Sequence, residues 1–232
     1  MTTLGEMLKD IAYDLEFYKM RLKKPKIGII LLFPGFQALA FYRVQVWLNT
    51  HHKSARFKNP LWWPVIAIEV VLKRIVEMVT SIHISPEAHL APGIYMPHFG
   101  GIVVGEYTVI GKNSVICQNV TFGFGIRGDK NGFPKLGDRV YLAPGAVLIG
   151  PVVLGDDCMV GANSVVTKSF PDRSVVGGVP AKLLSMRGSF DYQHYPNMKT
   201  DPARIASLAL RDSSQPAQNY MDDAPISVGE VH

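Results

Sequence analysis

Three of the seven histidines, at positions 83, 89 and 98, lie in a glycine-rich segment in the middle of the chain. A neutral imidazole takes up a proton near pH 7, so a histidine beside a hydroxyl group is suited to general-base catalysis. The spacing of His83, His89 and His98 does not match the ligand spacing of a zinc site, and we therefore expect no metal. These histidines instead predict proton-transfer chemistry.

The two cysteines, Cys117 and Cys158, are not part of a CxxC motif, and no Cys/His cluster surrounds them. Because disulfides persist mainly in oxidising compartments, we expect both to be small buried thiols in a reducing, cytoplasmic compartment. A nucleophilic role for Cys117 is not expected, because no histidine or aspartate partner accompanies it in the sequence.

The chain has 232 residues and a formal net charge of +5, and its positive charge is concentrated in the first third. Residues 1–80 carry 12 basic and 6 acidic side chains, whereas residues 188–232 carry 3 basic and 6 acidic ones. The aromatic residues of the basic third lie in apolar runs and are not interleaved with Lys and Arg. Solvated helix faces explain this charge, and we expect no nucleic-acid partner.

Two apolar stretches in the first third are candidates for membrane contact. Residues 27–42 are interrupted by a Pro-Gly pair, and residues 61–78 contain four charged side chains. Both stretches are too short or too broken to span a bilayer, so we expect a soluble protein. Because Trp62, Trp63 and several basic residues lie close together, a peripheral association with the inner face of the cell membrane is the alternative.

The distribution of glycine divides the chain into three parts, because 16 of the 21 glycines fall within residues 81–187. We expect residues 1–80 to form an α-helical N-terminal domain and residues 81–187 to form the functional domain. Residues 188–232 are rich in Asp, Ser, Gln, Pro and Ala and have little apolar content. Such a segment buries too little apolar surface to fold, and we expect a largely disordered tail.

Three helices are predicted in the N-terminal domain. Thr3 and Glu6 match a capping box, and apolar residues follow them at helical spacing. A second helix is expected over residues 36–48. Pro64 is suited to the first turn of a third helix, which we expect to end near residue 79.

Within the functional domain, large apolar residues recur with a spacing of six, a period that neither an α-helix nor a hairpin produces. A triangular parallel β-helix has one six-residue unit on each face and about 18 residues per turn. The apolar residues then fill the interior, and small residues next to them allow tight corners. The predicted interior positions are Ile84, Leu90, Met96, Val104, Ile110, Ile116, Phe122, Leu136, Leu142, Leu148, Leu154, Val160 and Val166.

Several stretches of the sequence resemble the serine acetyltransferases, a branch of the bacterial hexapeptide-repeat acyltransferases. They are residues 34–39 (PGFQAL), His98 with residues 101–106 (GIVVGE), residues 120–121 (VT) and residues 177–181 (GGVPA). The resemblance implies acetyl-CoA as co-substrate and a homotrimer, with an assembly of two trimers as an alternative. It also implies the handedness of the coil. The predicted fold is an all-β left-handed parallel β-helix preceded by an α-helical N-terminal domain.

The same resemblance implies the catalytic base. His98 matches the family's general base, which lies between two subunits of the trimer. In the family an aspartate partners this base, whereas His83 occupies the aspartate's position here. An imidazole can orient His98 but cannot stabilise an imidazolium as a carboxylate does. Glu106 is one candidate for the missing negative charge, and the alternative for His83 is an ordinary polar residue at the start of a coil.

The residues that the family uses to bind serine are largely replaced. The family has an aspartate before the base and an Arg-His pair before a Pro-Lys, and this chain has Pro97, Gly132 and Phe133 there. By the same resemblance, only Asp10 matches the family's remaining acidic contact. A zwitterion needs charged partners when it is desolvated, so we expect a saccharide acceptor stacked on Phe133. L-Serine is the alternative acceptor, and a non-catalytic trimeric scaffold is the alternative of another class.

For acetyl-CoA, the resemblance implies a groove between neighbouring coils. A loop over residues 123–135 is expected to protrude above the site as a lid. The cations expected to bind the phosphates are Lys168, Lys182 and Arg187. The residues expected to line the groove are Gly123, Gly125, Ala143, Ala146, Gly161 and Ala162.

Overall fold

The N-terminal part of the protein is helical and its middle part is a parallel β-helix, as predicted. The computed structural model describes residues 3–56, 62–127 and 130–214. Its helices are α1 (Leu4–Leu22), α2 (Lys26–Leu32), α3 (Pro34–Arg56), α4 (Trp63–Thr80) and α5 (Pro202–Ser214).

The predicted helix signals in the N-terminal part correspond to observed helix ends. At the start of α1, the Thr3 hydroxyl accepts the Glu6 N–H at 3.2 Å and the Glu6 carboxylate accepts the Thr3 N–H at 2.7 Å. This reciprocal pair is the predicted capping box. Pro64 lies in the first turn of α4, as predicted. The second predicted helix is part of the longer α3, and the sequence pattern does not predict α2.

The middle part of the chain is built from short strands, most of which pair in parallel. They are β1 (Ile82–Ile84), β2 (His89–Leu90), β3 (Ile94–Tyr95), β4 (Ile102–Val104), β5 (Val109–Ile110), β6 (Ser114–Ile116), β7 (Thr121–Gly123), β8 (Gly125–Arg127), β9 (Lys130–Gly132), β10 (Lys135–Leu136), β11 (Tyr141–Leu142), β12 (Val147–Ile149), β13 (Val153–Leu154), β14 (Met159–Val160), β15 (Val165–Val166), β16 (Val175–Gly177) and β17 (Lys182–Ser185).

These strands form three faces of a left-handed prism. The first face contains β1, β4, β7, β12 and β15, and the second contains β2, β5, β10 and β13. The third face contains β3, β6, β11, β14 and β16, with β17 antiparallel to β16 at its end. β8 and β9 form an antiparallel hairpin within the loop of residues 123–135, and positions 128–129 of that loop lie outside the described residues.

The interior of the prism is filled by the predicted six-residue repeat. All thirteen predicted interior residues are at most 5% exposed. Several corners are occupied by asparagines in the left-handed region, including Asn113, Asn119 and Asn163, with φ between 52° and 59°. Asparagine tolerates this conformation better than other residues with a Cβ. The repeat therefore determines both the core and the positions of the corners.

A buried ion pair joins the helices to the first coil of the prism. Arg43 on α3 donates through Nε to Asp14 on α1 at 3.1 Å, and both side chains are at most 6% exposed. Asp14 also accepts the N–H of Gly93 at 2.7 Å. The Tyr18 hydroxyl accepts the N–H of Met96 at 2.9 Å, two residues before His98. The helical domain thus fixes the backbone that leads into the candidate base.

The C-terminal segment differs from the prediction of a largely disordered tail over residues 188–232. Residues 188–214 are structured and include α5. Phe190 and Tyr195 are buried, with 3% and 1% exposure. Two aromatic side chains supply the apolar contact that the polar composition of the segment does not suggest. Residues 215–232 lie outside the described residues.

Side-chain hydrogen bonds to the backbone hold this segment against the prism. The Ser189 hydroxyl donates to the Arg139 carbonyl at 2.6 Å, and the Gln193 amide donates to the Val140 carbonyl at 2.8 Å. Both polar side chains are fully buried. Buried polar groups are generally hydrogen-bonded, and these two bonds fix the position of the segment.

The outer surface of the helical domain carries exposed apolar side chains. In the part of the chain that the structure describes, no single helix is long and apolar enough to cross a membrane, and only α2 taken with Pro34–Thr50, bent by 85°, reaches that length and composition. Apolar residues also form a stripe on α4 with alternating spacings of three and four. They are Val65, Ile68, Leu72, Ile75 and Val79, each at least 37% exposed.

Candidate active site

His98 lies at the exposed corner where the third face passes into the first. The backbone after it is held from two sides, because the Gly100 N–H donates to the Thr80 carbonyl at 3.2 Å and the Gly100 carbonyl accepts the Asn119 N–H at 2.9 Å. Gly101 has φ of +64°, and a Cβ there would clash with the Asn119 side chain. The first glycine of the GIVVGE stretch is therefore required by this corner.

His83 projects outward from β1, the first strand of the same face. Its neighbour in register on β4 is Val103, and its side chain is 45% exposed. The Nδ1 atom of His83 lies 2.8 Å from Oε1 of Glu77, in the last turn of α4. Glu77 is 17% exposed and also pairs with Arg74 at 3.2 Å. A carboxylate therefore accompanies His83, although sequence reasoning did not identify Glu77.

Within one protomer, Glu106 and His98 lie at opposite edges of the first face. Glu106 is exposed and lies just beyond the end of β4, at the corner between the first and second faces. His98 precedes β4, at the other edge of the same face. In the described part of the protomer, the carboxylate bonded to His83 is that of Glu77. The assignment of Glu106 as the negative charge that assists His98 stays a prediction.

Glu106 borders a cavity of about 590 Å³, the aromatic cavity, whose wall contains three aromatic rings. The ring of Phe133 lies 5.4 Å from that of Phe124 and 6.2 Å from that of Tyr107, between ring centroids. Phe133 packs directly on Gly105, where a Cβ would clash with the ring. Offset and edge-on aromatic pairs of this kind are favourable contacts. The other lining residues are Asn131, Gly132, Lys135 and Pro151.

Asp10 lines a second cavity, of about 350 Å³, between the helices and the second face. His89 and Val109 are part of its wall. Burial raises the pKa of Asp10, and the nearby Arg43 guanidinium opposes this effect. Val109 pairs in register with Lys135, which borders the aromatic cavity. Asp10 and Phe133 therefore border the same second face of the prism.

The predicted acceptor residues are consequently divided between two edges of one protomer. Asp10 and Phe133 border the second face, whereas Pro97 is half-buried directly before His98 at the other edge of the first face. A single chain does not bring these three residues together. A site containing all of them requires an edge from a second protomer.

Two of the predicted donor-binding residues line a common groove of about 660 Å³. Gly125 and Lys168 are part of its wall, together with Ile149, Gly150 and Pro151. A Cβ on Gly125 would lie 2.7 Å from the Cα of Gly150, so glycine is needed for this close approach of two coils. Gly123 lies next to the groove and pairs in register with Ile149.

The remaining predicted donor-binding residues lie elsewhere. Ala143, Gly161 and Ala162 are at the corner between the third and first faces, the edge that also carries His98. Ala146 is fully buried in the core, so the expectation that its side chain lines a groove is wrong. Its methyl group fills the interior next to a corner. Lys182 is exposed on β17, and Arg187 follows it beyond the end of the third face.

The groove fits an extended thioester donor in shape and in charge. Its walls contain the small residues Gly125 and Gly150, which leave room for a narrow chain. Lys168 is exposed at the groove with its Nζ 5.4 Å from the Phe170 ring centroid, and it offers a cation to a phosphate group. These residues would hold acetyl-CoA, whose bound form supplies the activated acetyl group.

Both cysteines are buried and neither is arranged as a nucleophile. Burial raises the pKa of Cys117, whose Sγ lies 3.6 Å from the Tyr141 hydroxyl, and raises the pKa of Cys158 to about 12. A reactive cysteine needs a low pKa and access to solvent. The predicted role as small buried side chains therefore agrees with the structure.

Comparison with known proteins places these features in a family. Residues 133–168 match the model described as "Bacterial transferase hexapeptide (six repeats)". The serine acetyltransferase of Synechococcus elongatus is 30% identical over 207 residues, covering 88% of this chain and 80% of the relative. The Neisseria gonorrhoeae serine acetyltransferase in complex with serine superposes with a TM-score of 0.66 at 27% identity, covering 78% of this chain and 70% of that one. A serine acetyltransferase complex with CoA gives a TM-score of 0.65 at 27% identity, covering 78% and 71%.

Proposed function

The chain belongs to the serine acetyltransferase family and is an acetyl-CoA-dependent acetyltransferase, and on that premise we propose that it transfers the acetyl group to an acceptor hydroxyl with His98 as general base. The observation that carries this proposal is the exposed His98 corner, whose backbone is fixed by Thr80 and Asn119. Among the described residues His98 has no hydrogen-bond partner, so its ring is available to a substrate hydroxyl.

In the proposed reaction, His98 accepts the proton of the acceptor hydroxyl as its oxygen attacks the thioester carbon. A C–O bond forms and the C–S bond breaks, and His98 returns the proton to the departing sulfur. General-base catalysis of this kind accelerates a reaction about 10²–10⁴-fold. Lys168 and the glycines of the groove would bind and orient the donor.

The arrangement of these groups supports a trimer with sites between protomers. His98 lies at one edge of the first face, and the groove containing Gly125 and Lys168 lies at the opposite edge. In a closed ring the His98 edge of one protomer meets the groove edge of the next. The exposed apolar stripe of α4 is a further surface that a neighbouring copy would cover.

L-Serine is the acceptor that the comparisons support, more directly than the saccharide predicted from the sequence. Both relatives are named as serine acetyltransferases, and one solved structure contains serine. Two charged groups remain on the second face for a zwitterion: Asp10 for the ammonium group and Lys135 for the carboxylate. These residues make serine the first acceptor to test.

A saccharide is the second candidate, and the aromatic cavity is the observation that favours it. Phe133, Phe124 and Tyr107 present a wall suited to the apolar face of a sugar ring. Pro97 and Phe133 also replace charged or polar residues that the family uses to bind serine. A neutral acceptor needs no charged partner, so these replacements favour a saccharide without affecting the base or the donor groove.

The experiment is an assay of CoA release with L-serine, nucleotide sugars and oligosaccharides offered as acceptors. We expect His98→Ala to lower kcat/KM by about 10²-fold or more. The control variant is His194→Ala, an exposed histidine in the C-terminal segment, which should retain full activity. If serine is the acceptor that is turned over and no saccharide is, serine is established as the acceptor. If a saccharide is turned over and serine is not, serine is excluded. Undiminished activity of His98→Ala would reject the base assignment.

A further inference from the structure

Glu77 and His83 form a hydrogen-bonded pair at the end of α4, and the Thr80 carbonyl of the same helix end accepts an N–H from the loop that follows His98. His83 occupies the position where the family has a single aspartate. From this pair we infer that Glu77 acts through His83 as a positioning residue for His98. The inference rests on the proposed function, because it assigns two residues, His83 and Glu77, that assist the general base His98. Glu77 on α4 then supplies the carboxylate in place of the family's aspartate, and the imidazole ring of His83 lies between this carboxylate and His98.

The hydrogen bond determines which nitrogen of His83 carries a proton. Oε1 of the Glu77 carboxylate is only an acceptor, so Nδ1 of His83, at 2.8 Å, must donate to it. The Nε2 atom of the neutral ring then has a free lone pair. The His83–His98 hydrogen bond is not formed in this structure, and the inference is that it forms when the substrate is bound. The lone pair then accepts an N–H from His98, which orients the base with its other nitrogen towards the acceptor hydroxyl.

Without Glu77, a neutral His83 would distribute between its two tautomers. In the wrong tautomer, Nε2 of His83 carries a proton and faces the N–H of His98, which removes the hydrogen bond. In Ser-His-Asp triads, catalysis slows strongly when the hydrogen bond that orients the catalytic histidine is lost. We expect the same kind of loss here when His83 no longer orients His98. The carboxylate also places a negative charge near the imidazolium that forms when His98 takes up the substrate proton.

The end of α4 holds both parts of this arrangement. Glu77 is in its last turn, and the Thr80 carbonyl at its end accepts the N–H of Gly100, two residues after His98. The Thr80 hydroxyl donates to the Val76 carbonyl at 2.6 Å and fixes this terminus. A single helix end therefore positions the carboxylate and the loop of the base.

Two charged neighbours of Glu77 hold its carboxylate in place. Lys73 lies 3.9 Å away and Arg74 3.2 Å away, both on α4. From α3, the uncharged side chains of Gln45 and Tyr42 border the same cleft. On β4 the neighbour of His83 in register is apolar. No described element packed against the pair adds a second acid that could replace Glu77.

The first test is the kinetics of Glu77→Ala, which removes the charge and the acceptor, and of Glu77→Gln, which removes only the charge. For Glu77→Ala we expect a drop in kcat of about 10–100-fold with little change in KM, as is typical of residues that orient a catalytic group. The acid limb of the pH profile should move to lower pH. The matched control is Glu87→Ala, which removes a carboxylate bonded to Ser85 in the same coil and should leave kcat unchanged.

The second test restores the family's direct carboxylate. In a His83→Asp background, Glu77 no longer has an imidazole to orient, so Glu77→Ala should have no further effect on kcat. If Glu77→Ala lowers kcat as much in the His83→Asp background as in the wild type, Glu77 has only a structural role. That result would overturn the inference. Full kcat in Glu77→Ala alone would overturn it as well.

A readout that needs no activity separates this inference from the proposed function. If the wild-type protein transfers acetyl to no acceptor, the proposed function fails. ¹⁵N NMR of the His83 ring then still reports its tautomer. We expect the Nδ1–H form in the wild type and a mixture of tautomers in Glu77→Ala. The same tautomer in both proteins would overturn the inference.

Discussion

Replacing Arg139 with methionine is expected to lower the free energy of unfolding by about 3–5 kcal/mol, because it leaves a buried carboxylate without its cation. Arg139 is 3% exposed, and its Nε and Nη2 atoms donate to the two carboxylate oxygens of Asp157 at 2.7 and 3.1 Å. Asp157 is fully buried. Burial alone would lower the pKa of Arg139, but the carboxylates of Asp157 and Asp156 raise it above its ordinary value.

The size of the loss follows from this geometry. Both hydrogen bonds to Asp157 are charge-assisted and desolvated, and a third contact joins Arg139 to Asp156 at 3.3 Å. For a domain of this length, 1 kcal/mol corresponds to about 2–4 °C, so the expected decrease in Tm is about 6–20 °C. Thermal unfolding monitored by circular dichroism, at one fixed protein concentration, measures it.

The double variant R139M/D157N separates the ion pair from simple loss of packing. Because it removes the uncompensated charge, we expect it to be more stable than R139M by about 1–3 kcal/mol. The C-terminal segment provides a local readout, because Ser189 bonds to the Arg139 carbonyl. Its amides should exchange faster in R139M. A decrease below about 1 kcal/mol in R139M, or a double variant less stable than R139M, would refute the reasoning.

Three further predictions concern the thiols, the C-terminal segment and the acceptor. Burial raises the pKa of Cys158 to about 12 and also raises the pKa of Cys117. At pH 8 both thiols of the native protein should therefore react with iodoacetamide far more slowly than those of unfolded protein, as measured by mass spectrometry. Equal rates in native and unfolded protein would contradict the buried positions. Partial burial alone would raise the pKa of Asp201, but hydrogen bonds, chiefly from a tyrosine hydroxyl, and a nearby cation together lower it. Its contribution to stability is therefore present above the ordinary aspartate pKa of about 3.9 and is lost as the pH falls below that value. As the pH is lowered, hydrogen exchange should show that the C-terminal segment is released before the prism unfolds. The double variant P97D/F133H should raise kcat/KM for L-serine by about 10-fold or more, because each new charge-assisted hydrogen bond contributes about 1.5–3 kcal/mol; no change would argue against the assignment of these positions to the acceptor.

The six-residue repeat predicts the core of this protein because one physical constraint acts at every coil. Each turn must place one large apolar side chain per face inside the prism, so a residue such as Leu148 is recognisable from its spacing alone. For Ala146 the spacing does not distinguish a corner from an interior position, because small residues occur at both. Its spacing fits either position, and only the structure identifies it as interior.

The Glu77–His83 pair was not predictable from a periodic pattern. The two residues are separated by the end of a helix and by Ser81, which has φ of +52° and turns the chain into the first strand. Their contact depends on the direction of that turn, which neither helical nor strand spacing encodes. The C-terminal segment is a similar case, since Phe190 and Tyr195 anchor it despite its polar composition.

The measurement that tests the central claim most directly is acetyl transfer by mixed oligomers. One chain carries His98→Ala, and the other carries I126E/K168E, which places two negative charges at the exposed groove. Each variant alone should be inactive at limiting acetyl-CoA. In trimers assembled at random from equal amounts, about a quarter of the interfaces pair an intact His98 edge with an intact groove, so about a quarter of the wild-type rate should return. If His98 and the groove of one chain served the same reaction, no interface would be intact, and the absence of recovered activity would contradict the account.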